Sequence, residues 1–424
     1  METPLTQHIR PDKLPPDIED YKKTGGYDAV KKALKGMMPS DIIDLVKESG
    51  LTGRGGAGFP TGLKWSLVPK EINGSGTKYL IANADEMEPG TFKDRYLLEG
   101  NPHQLIEGMI IASYAIQAKK AYIFIRWAYK KAEIIIRKAI SEAYQAGYLG
   151  NDILGTGYDL DIYVHISAGR YICGEETALL NSLEGKRGIP RAKPPFPATS
   201  GLFGRPTVVN NVETLCWIPH IVEKGTDWFM HLSLTHEGGT KLYGVSGHVK
   251  KPGLWELPMG TTLREIIYDH ADGMQDGYNL KGVIPGGAST DFMTESHLDT
   301  KMDFASVRAT GSRLGTGTMI ILDDKTCPIA FINNMISFFA KESCGWCTPC
   351  REGLPWVEKI LASFEKGTAK SGDIGILEFQ TRYMAPGNTF CAHAPGAMEP
   401  LQSGLKYFRE DFIRHINEKQ CPWR

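Results

Sequence analysis

The sequence lacks three features, and each absence limits the class of protein that it can encode. The formal net charge of the 424 residues is −1, so there is no basic surplus to neutralise phosphates, and nucleic acid is excluded as a general partner. The most apolar stretch, residues 108–118, is shorter than the ~20 residues of a membrane-spanning helix. The first residues have neither the basic start nor the apolar segment of a signal peptide. The sequence therefore predicts a cytoplasmic globular protein without membrane insertion, long enough for two or three domains.

The sequence has eight cysteines, and three of them stand in one short run. Cys344-Gly-Trp-Cys347-Thr-Pro-Cys350 has the two-residue gaps of the bacterial [4Fe–4S] run. A zinc site needs a second C-x-x-C pair or histidines at ligand spacing, a redox dithiol needs one pair, and a radical-SAM run has a three-residue first gap. Soft thiolates at this spacing therefore favour an iron–sulfur cluster over these sites and over a chance arrangement. Cys173 and Cys216 are expected to be buried as small hydrophobes.

The fourth ligand of such a cluster is missing from its usual position, which Leu354 occupies, so it must come from a distant segment. The candidates are Cys327, Cys391, Cys421 and the non-thiol His393. Cys327 precedes a predicted helix that would carry it away from the triplet, and Cys421 lies among the last residues, which commonly fray. Cys391 lies in a bend-prone stretch, but spacing alone leaves the choice open.

The periodicity of apolar residues predicts alternating helices and strands in the first half of the chain. After an extended, proline- and charge-rich arm over residues 1–26, short helices are predicted at 27–36 and 39–49. Further along, strands are predicted at 79–82, 121–125, 160–166 and 207–209, and helices at 102–118 and 129–146. This alternation is typical of a parallel sheet covered by helices.

The second half of the chain has a different texture. From residue 240 to 323, short β-like runs alternate with turn signals around one helix at 263–270, which predicts a small α+β module. Beyond it, helices are predicted at 328–341, 351–365 and 400–418. The proline-rich stretch 188–197 is expected to be a loop.

The glycine-rich run Gly53-Arg-Gly55-Gly-Ala-Gly58 satisfies the pattern G-x-G-x-x-G without the context of the dinucleotide fingerprint. That fingerprint needs a strand before the loop and a helix after it, whereas here a predicted helix precedes and Pro60 follows. A backbone free of side chains still lets amide N–H groups approach a phosphate or a flat ring, and Lys64 offers a countercharge. The alternative is a glycine-rich turn used only for packing.

Three polar clusters follow predicted strands, where open α/β sheets bind their ligands. They are Asn83-Ala-Asp85-Glu86-Met-Glu88, Tyr171-Ile-Cys-Gly174-Glu175-Glu176-Thr and Asn210-Asn211-Val-Glu213-Thr214. Amides and short acids suit the ribityl hydroxyls and the ring edge of a flavin. One such cluster alone is more typical of a solvated loop or a helix cap. Three of them, beside a glycine-rich loop and an iron–sulfur triplet, favour a ligand site.

In this order, these motifs resemble the NADH-binding flavoprotein subunit of respiratory complex I. The matching stretches are residues 53–65, 83–95, 171–177, 208–214 and 342–353, and the resemblance covers essentially the whole chain. It implies an α/β fold that begins with a Rossmann-like FMN- and NADH-binding domain with a parallel sheet, over residues 1–239. A ubiquitin-like β-grasp (soluble-ligand-binding) domain is implied over 240–325, and a C-terminal helical bundle carrying the iron–sulfur cluster over 326–424.

The resemblance also implies one FMN, one [4Fe–4S] cluster and NAD(H) as the substrate. The residues implied for FMN are Gly53, Arg54, Gly55, Gly56, Ala57, Gly58, Lys64, Asn83, Asp85, Glu86, Gly174, Glu175, Asn210, Asn211 and Thr214. Those implied for NADH are Phe59, Glu88, Tyr171, Glu176, Lys193 and Phe196, and those for the cluster are Cys344, Cys347, Cys350 and Cys391. No side chain is expected to act as an acid or base, and Glu88, Glu175 and Glu176 are expected to position the reactants. Without the resemblance, Phe59 and Phe196 would be expected in the core.

The implied activity is that of the NADH dehydrogenase module of a proton-translocating NADH:quinone oxidoreductase, with hydride transfer to FMN and single electrons to the cluster. The implied partners are a small [2Fe–2S] thioredoxin-like subunit, a large multi-cluster iron–sulfur subunit and the remainder of complex I. The implied location is the peripheral arm, on the cytoplasmic face of the inner membrane. Glu176 is expected to exclude the 2′-phosphate of NADPH by charge repulsion.

Three alternatives remain at this point. The diaphorase subunit of a NAD-linked hydrogenase or formate dehydrogenase shares the same motifs, although such subunits often add a thioredoxin-like or ferredoxin-like domain. A second cysteine run, which a ferredoxin-like domain would bring, is absent from this sequence. The other two are a non-catalytic ligand-binding module on a redox scaffold and a structural zinc protein.

Overall fold

The structure, a computed structural model, describes residues 2–12, 14–70 and 76–424 of the chain. Its contacts divide the chain into two units. The first comprises Met1–Met87, Phe92–Lys241 and Glu256–Gly260. The second comprises Glu88–Thr91, Leu242–Trp255 and Thr261–Arg424.

The first unit is built on a parallel sheet. Its strands are β1 (Tyr79–Ala84), β2 (Lys120–Ile125), β3 (Asp161–Ile166) and β4 (Thr207–Asn211). They lie in the order β3-β2-β1-β4, and every pair is parallel. Five of the six residues of β1 are buried, as expected for an inner strand of a sheet that helices cover on both faces. The predicted parallel sheet is therefore confirmed.

The helices of this unit are α1 (Ile18–Lys23), α2 (Asp28–Gly36), α3 (Pro39–Glu48), α4 (Thr61–Ser66), α5 (Lys93–Gly100), α6 (Pro102–Ile116), α7 (Lys130–Gln145), α8 (Glu176–Leu183), α9 (Val212–Lys224) and α10 (Thr226–His231). Short 3₁₀ helices occupy Ile153–Gly155, Tyr171–Gly174 and Leu202–Gly204. Helix α6 is apolar almost all round and packs against α9. A Cβ on Gly108 would lie 2.0 Å from the Leu215 carbonyl oxygen, so only glycine permits this approach.

The predicted helices and strands of this half of the chain agree with the structure to within one or two residues at each end. The prediction of an extended arm over 1–26 was wrong in part. Its described residues include α1, in which Ile18 and Tyr21 are buried, and Leu5 is 1% exposed. The Tyr21 hydroxyl donates to Glu107 Oε2 at 2.6 Å. Burial of these apolar groups keeps the segment on the core of the first unit, despite its charge and proline content.

Most of a second, mixed sheet lies in the second unit. Its strands are β5 (Thr240–Ser246), β6 (Gly253–Pro258), β7 (Leu280–Ile284) and β8 (Thr318–Asp323), in the order β6-β5-β8-β7. Strands β5 and β8 are parallel, and β7 and β8 are antiparallel. The predicted helix at 263–270 is present as α11 (Leu263–Glu265), continued by a π-helix over Ile266–His270. The sheet, in this order and with this helix, confirms the predicted α+β module.

A 3₁₀ turn at Glu295–His297 and helix α12 (Phe304–Ala309) lie between β7 and β8. The helices that follow β8 are α13 (Pro328–Glu342), α14 (Thr348–Glu365), α15 (Ser371–Tyr383), α16 (His393–Tyr407) and α17 (Arg409–Glu418). The single helix predicted at 400–418 was wrong, because the helix breaks at Phe408, whose ring packs edge-on against Phe292 at 5.1 Å. Among the described residues, no helix is long and apolar enough to span a bilayer.

Candidate cofactor sites

The strand order of the first unit creates a switch point at β1. Strands β2 and β3 lie on one side of β1, and β4 lies on the other. Open α/β sheets bind ligands beside such a point, at the carboxyl ends of the strands. The register pairs Asn83 with Asn211 there, and Ala82 with Asn210. Two of the predicted polar clusters therefore meet at the carboxyl ends of β1 and β4, a place called the sheet edge below.

The glycine-rich loop reaches the same edge. A Cβ on Gly55 would lie 3.0 Å from Asn211 Cβ, and the Arg54 N–H donates to Thr214 Oγ1 at 2.8 Å. Gly56 has φ +118°, a conformation that other residues rarely adopt. The loop thus lies directly on the end of β4, and the absence of side chains is what allows it to come so close.

The guanidinium of Arg54 is directed into the first unit. It is fully buried and donates to Thr52 Oγ1 at 2.7 Å and to the Gly238 carbonyl oxygen at 2.8 Å. The side chain therefore anchors the loop from within.

The segment after β3 joins this edge through side-chain amides and hydroxyls. Asn83 Nδ2 donates to the Gly174 carbonyl oxygen at 2.9 Å. The carboxylate of Asp85 accepts from Ser167 Oγ at 2.8 Å. Asn210 Oδ1 accepts from the Trp65 indole N–H at 2.9 Å. The three predicted clusters of the first unit therefore converge.

Glu86, predicted to bind FMN, has its carboxylate hydrogen-bonded within the first unit. Its carboxylate accepts from the backbone N–H groups of Asp94 and Arg95 at 2.8 and 3.1 Å, at the start of α5, and from the Tyr129 hydroxyl at 3.0 Å. Burial, and then the neighbouring Asp94, raise the pKa of Glu86 to about 7. Its carboxylate thus holds the start of α5 beside β1.

A buried network of charges lies beside this edge, and sequence reasoning missed most of it. Lys93 Nζ contacts Asp94 Oδ1 at 2.7 Å and Glu213 Oε2 at 2.8 Å, and Lys241 Nζ lies 3.6 Å from the same Glu213 oxygen. The four side chains are at most 4% exposed. Lys93 also donates to Asn211 Oδ1 at 3.2 Å, which ties the network to the sheet edge.

The pKa values of the two lysines in this network are shifted in opposite directions. Burial alone would lower the pKa of Lys93, but the Asp94 and Glu213 carboxylates raise it above its usual value. Burial lowers the pKa of Lys241 to about 7. Its main acidic neighbour, Glu213, raises this pKa too little to compensate, since it lies farther from Lys241 than from Lys93. Lys93 and Asp94 lie within the 83–95 motif, which is a signal that could have identified them. Lys241 lies in a strand-like run, which gives no such signal.

Glu175 and Glu176 form a second group of charges, with Lys64 and Lys193. Glu176 Oε2 lies 2.9 Å from Lys64 Nζ, and its Oε1 lies 2.7 Å from Lys193 Nζ. Burial would raise the pKa of Glu176, but Lys64 and Lys193 hold it below its usual value. Glu175 Oε2 accepts from the Thr177 N–H at 2.8 Å and so caps α8.

The aromatic residues predicted for NADH lie at the surface. Phe59 is 47% exposed and Phe196 is 57% exposed, so the alternative that they are core aromatics is excluded. Tyr171 begins the 3₁₀ turn that leads to Gly174. Glu88 belongs to the second unit, where its carboxylate accepts from the Ser289 N–H at 2.7 Å.

In the second unit, the cysteine triplet lies between α13 and α14. Cys344 and Cys347 lie in the connecting loop, and Cys350 is in the first turn of α14. Ser343 Oγ is 3.2 Å from Cys350 Sγ. Burial, and to a smaller extent the nearby Cys347 and Cys344 thiols, raise the pKa of Cys350 to about 11.

The segment before α16 approaches this loop. The rings of Trp346 and Phe390 pack edge to face, with centroids 6.0 Å apart, so the residue beside Cys347 contacts the residue beside Cys391. His393 points elsewhere, with Nε2 2.8 Å from the Phe339 carbonyl oxygen in α13.

Cys327 and Cys421, the other candidates for a fourth cluster ligand, lie together in the second unit with His415. Cys173 and Cys216 are buried, as expected.

Both cofactor predictions pass a test of fit. Three thiols between the end of α13 and the first turn of α14, with a further thiol in the neighbouring segment before α16, fit the donor set that an iron–sulfur cluster requires. At the sheet edge, the side-chain-free backbone of Gly55 approaches Asn211 closely, beside further amide and hydroxyl side chains, which suits a phosphate and a polyhydroxyl chain.

Comparison with known proteins defines the chain first as an iron–sulfur flavoprotein. A family model described as Nuo51 FMN-binding domain matches residues 46–220, and one described as NADH-ubiquinone oxidoreductase-F iron-sulfur binding region matches 330–415. Between them, the SLBB domain model matches 241–311, in the β-grasp module.

Curated relatives identify the family. The F subunits of NADH-quinone oxidoreductase in Salmonella typhimurium and in Escherichia coli are each 56% identical over 415 residues, covering 98% of this chain and 93% of the relative. The chain belongs to this family, the F subunits of NADH-quinone oxidoreductase. A solved NAD+-reducing [NiFe]-hydrogenase in the H2-reduced state is similar at 33% identity and a TM-score of 0.82, covering 97% of this chain and 68% of that one. The predicted family, fold class and cofactors are confirmed.

Proposed function

We propose that this chain is the NADH-oxidising subunit of a respiratory NADH-quinone oxidoreductase, which transfers hydride from NADH to FMN and passes electrons singly to a [4Fe–4S] cluster and on toward quinone. The observation that carries the proposal is the meeting of the glycine-rich loop, the end of β1 and the end of β4 at one switch point. When bound, FMN joins a two-electron donor to a one-electron acceptor. The identity of 56% to the curated F subunits, against 33% to the hydrogenase, favours this function over a diaphorase.

The chain's own task is to bind and orient the flavin. The residues proposed for this are Gly53, Arg54, Gly55, Gly56, Ala57, Gly58, Lys64, Asn83, Asp85, Glu86, Gly174, Glu175, Asn210, Asn211 and Thr214. The glycines supply approachable backbone, and Asn83, Asn210 and Asn211 supply amides at the sheet edge. Arg54 and Glu86 support the site from behind, since their side chains are bound within the first unit.

NADH is proposed to bind through Phe59, Glu88, Tyr171, Glu176, Lys193 and Phe196. The exposed rings of Phe59 and Phe196 offer flat apolar faces for the bases of the dinucleotide. Glu176 is held between two lysines, which fixes the position of its carboxylate. Hydride transfer between two heterocycles needs no proton donor from the chain, so Glu88, Glu175 and Glu176 position rather than titrate.

Cys344, Cys347, Cys350 and Cys391 are the proposed ligands of the cluster. The contact between the Trp346 and Phe390 rings supports Cys391 as the fourth ligand. The other two cysteine candidates, Cys327 and Cys421, lie together with His415, which argues against either of them as the fourth ligand.

Membership of the family implies a larger assembly. We propose a small [2Fe–2S] thioredoxin-like subunit and a large multi-cluster iron–sulfur subunit as direct partners, in the peripheral arm on the cytoplasmic face of the inner membrane. Within the chain, we propose domains at 1–239, 240–325 and 326–424, which is supported by the three separate family matches.

The test separates the two cofactors. Gly55→Ala places a Cβ 3.0 Å from Asn211 Cβ, and we expect it to weaken FMN binding roughly tenfold and to leave iron unchanged. Cys391→Ser is expected to lower iron and to leave FMN bound. The matched control is Gly36→Ala, since a Cβ at Gly36 meets nothing within 4 Å. FMN released on denaturation, iron content and NADH:ferricyanide reductase activity are the measurements. Wild-type chain that holds FMN but cannot reduce ferricyanide with NADH would overturn the function, and full FMN in Gly55→Ala would overturn the site.

A further inference from the structure

Three potential metal ligands that the proposed function does not use lie together in the second unit. Cys327 Sγ is 3.4 Å from His415 Nε2, and these atoms and Cys421 Sγ all lie within 4.8 Å of one another. All three residues are buried, with exposures of 6%, 0% and 4% for Cys327, His415 and Cys421. Cys327 immediately precedes α13, and Cys421 follows α17, so the group joins two segments that are distant in sequence.

The histidine is oriented as a ligand. His415 Nδ1 lies 2.7 Å from the Asp411 carbonyl oxygen, which can only accept, so Nδ1 carries the proton of the neutral ring. The lone pair of Nε2 then points toward Cys327 Sγ. Metal-binding histidines characteristically donate their second ring N–H to a carbonyl or carboxylate in this way.

We propose that Cys327 Sγ, Cys421 Sγ and His415 Nε2 bind a zinc ion. Bond lengths of about 2.3 Å to sulfur and about 2.05 Å to nitrogen at a tetrahedral angle separate the two ligand atoms by about 3.6 Å, close to the 3.4 Å between Cys327 and His415. Two thiolates and a neutral imidazole balance the 2+ charge, so the site can be buried without a net charge. Soft thiolates with imidazole select zinc over the hard cations.

The neighbouring contacts fit a structural role for this ion. The indole of Trp423 stacks on His415 with ring centroids 5.7 Å apart and donates to the Asp324 carbonyl oxygen at 3.1 Å. The zinc ion fastens the residues after α17 to the start of α13. Because the loop that follows α13 carries Cys344, the ion holds one end of the helix whose other end leads to the iron–sulfur triplet.

The test is a metal analysis of the full chain purified with its iron–sulfur cluster from zinc-supplemented cells. We expect about one zinc per chain, and X-ray absorption at the zinc edge with sulfur at about 2.3 Å and nitrogen at about 2.0 Å. Cys421→Ser and His415→Gln should each lower zinc at least tenfold while iron stays at the wild-type level. Cys216→Ala, a buried thiol of the first unit, is the control and should keep its zinc.

Several results would overturn the proposal. They are wild-type protein without stoichiometric zinc, stoichiometric copper in its place, or zinc that persists in both variants. A Cys327–Cys421 disulfide, detected by peptide mapping after alkylation without reductant, would also overturn it. A wild-type iron content in the Cys421→Ser variant verifies that it has folded.

Discussion

Replacing Glu176 by glutamine is the sharpest probe of how the chain selects its coenzyme. In the structure the Glu176 carboxylate lies between Lys64 and Lys193, at 2.9 and 2.7 Å, with Glu175 close by at 3.4 Å from Lys193. Two ammonium groups and two carboxylates make this group neutral. Glu176→Gln leaves it with a charge of one positive unit and frees two lysine hydrogen-bond donors for a phosphate.

The size of the effect follows from Coulomb's law. A 2′-phosphate carries about two negative charges, and at about 7 Å from the added positive charge in a partly exposed site the attraction is about 1–2 kcal/mol. That energy corresponds to a rise of roughly 5- to 30-fold in kcat/KM for NADPH relative to NADH. Because the groups are 24–31% exposed, the gain should shrink as ionic strength rises.

The assay is NADH and NADPH oxidation with ferricyanide at two ionic strengths. Glu176→Asp keeps the charge and should keep the NADH preference. Glu133→Gln removes a carboxylate from α7 and should leave kcat/KM for both NADH and NADPH unchanged. Since Lys64 and Lys193 hold the pKa of Glu176 below its usual value, and the second pKa of a phosphate is about 6, both groups stay charged above about pH 7, and the wild-type preference should not vary between about pH 7 and 9. A Glu176→Gln enzyme with the wild-type ratio of kcat/KM values would refute the electrostatic account.

Two further predictions concern buried carboxylates. Glu213→Gln should lower the free energy of unfolding by about 3–5 kcal/mol, because it removes the carboxylate shared by buried Lys93 and Lys241, and an unchanged urea midpoint would contradict this. Burial raises the pKa of Glu107 to about 7 from 4.5, so the folded state favours the protonated acid; its stabilising contribution is present below about pH 4.5 and is lost as pH rises to about 7. Glu107→Gln should flatten this part of the stability profile, measured by urea titrations at pH 5 and 8, and an identical slope in both proteins would count against it.

Several features of this protein could be predicted from the sequence because they depend on short distances along the chain. The two-residue gaps of the cysteine triplet bring three thiols to one turn whatever surrounds them. Apolar periodicity predicted the strands of the parallel sheet to within two residues. The glycine-rich loop was recognisable because backbone approach depends on the absence of side chains, which is a property of the residues themselves.

Other features depend on which distant segments meet, and composition carries no record of that. Asn83 stands beside Asn211 only because β4 pairs with β1. The arm was predicted to be extended, since its prolines and charges gave no sign that Tyr21 would reach Glu107. The burial of Lys241 likewise follows from strand packing and not from its neighbours in sequence.

The cysteines divide along the same line. The sequence alone determined that Cys344, Cys347 and Cys350 can bind one metal cluster, because a few covalent bonds limit the distances between their thiols. Only the tertiary structure decided that Phe390 meets Trp346, and that Cys327 and Cys421 lie with His415. The reason is physical: contacts across tens of residues are selected by the burial of whole helices against one another, and that choice is made by the fold as a unit.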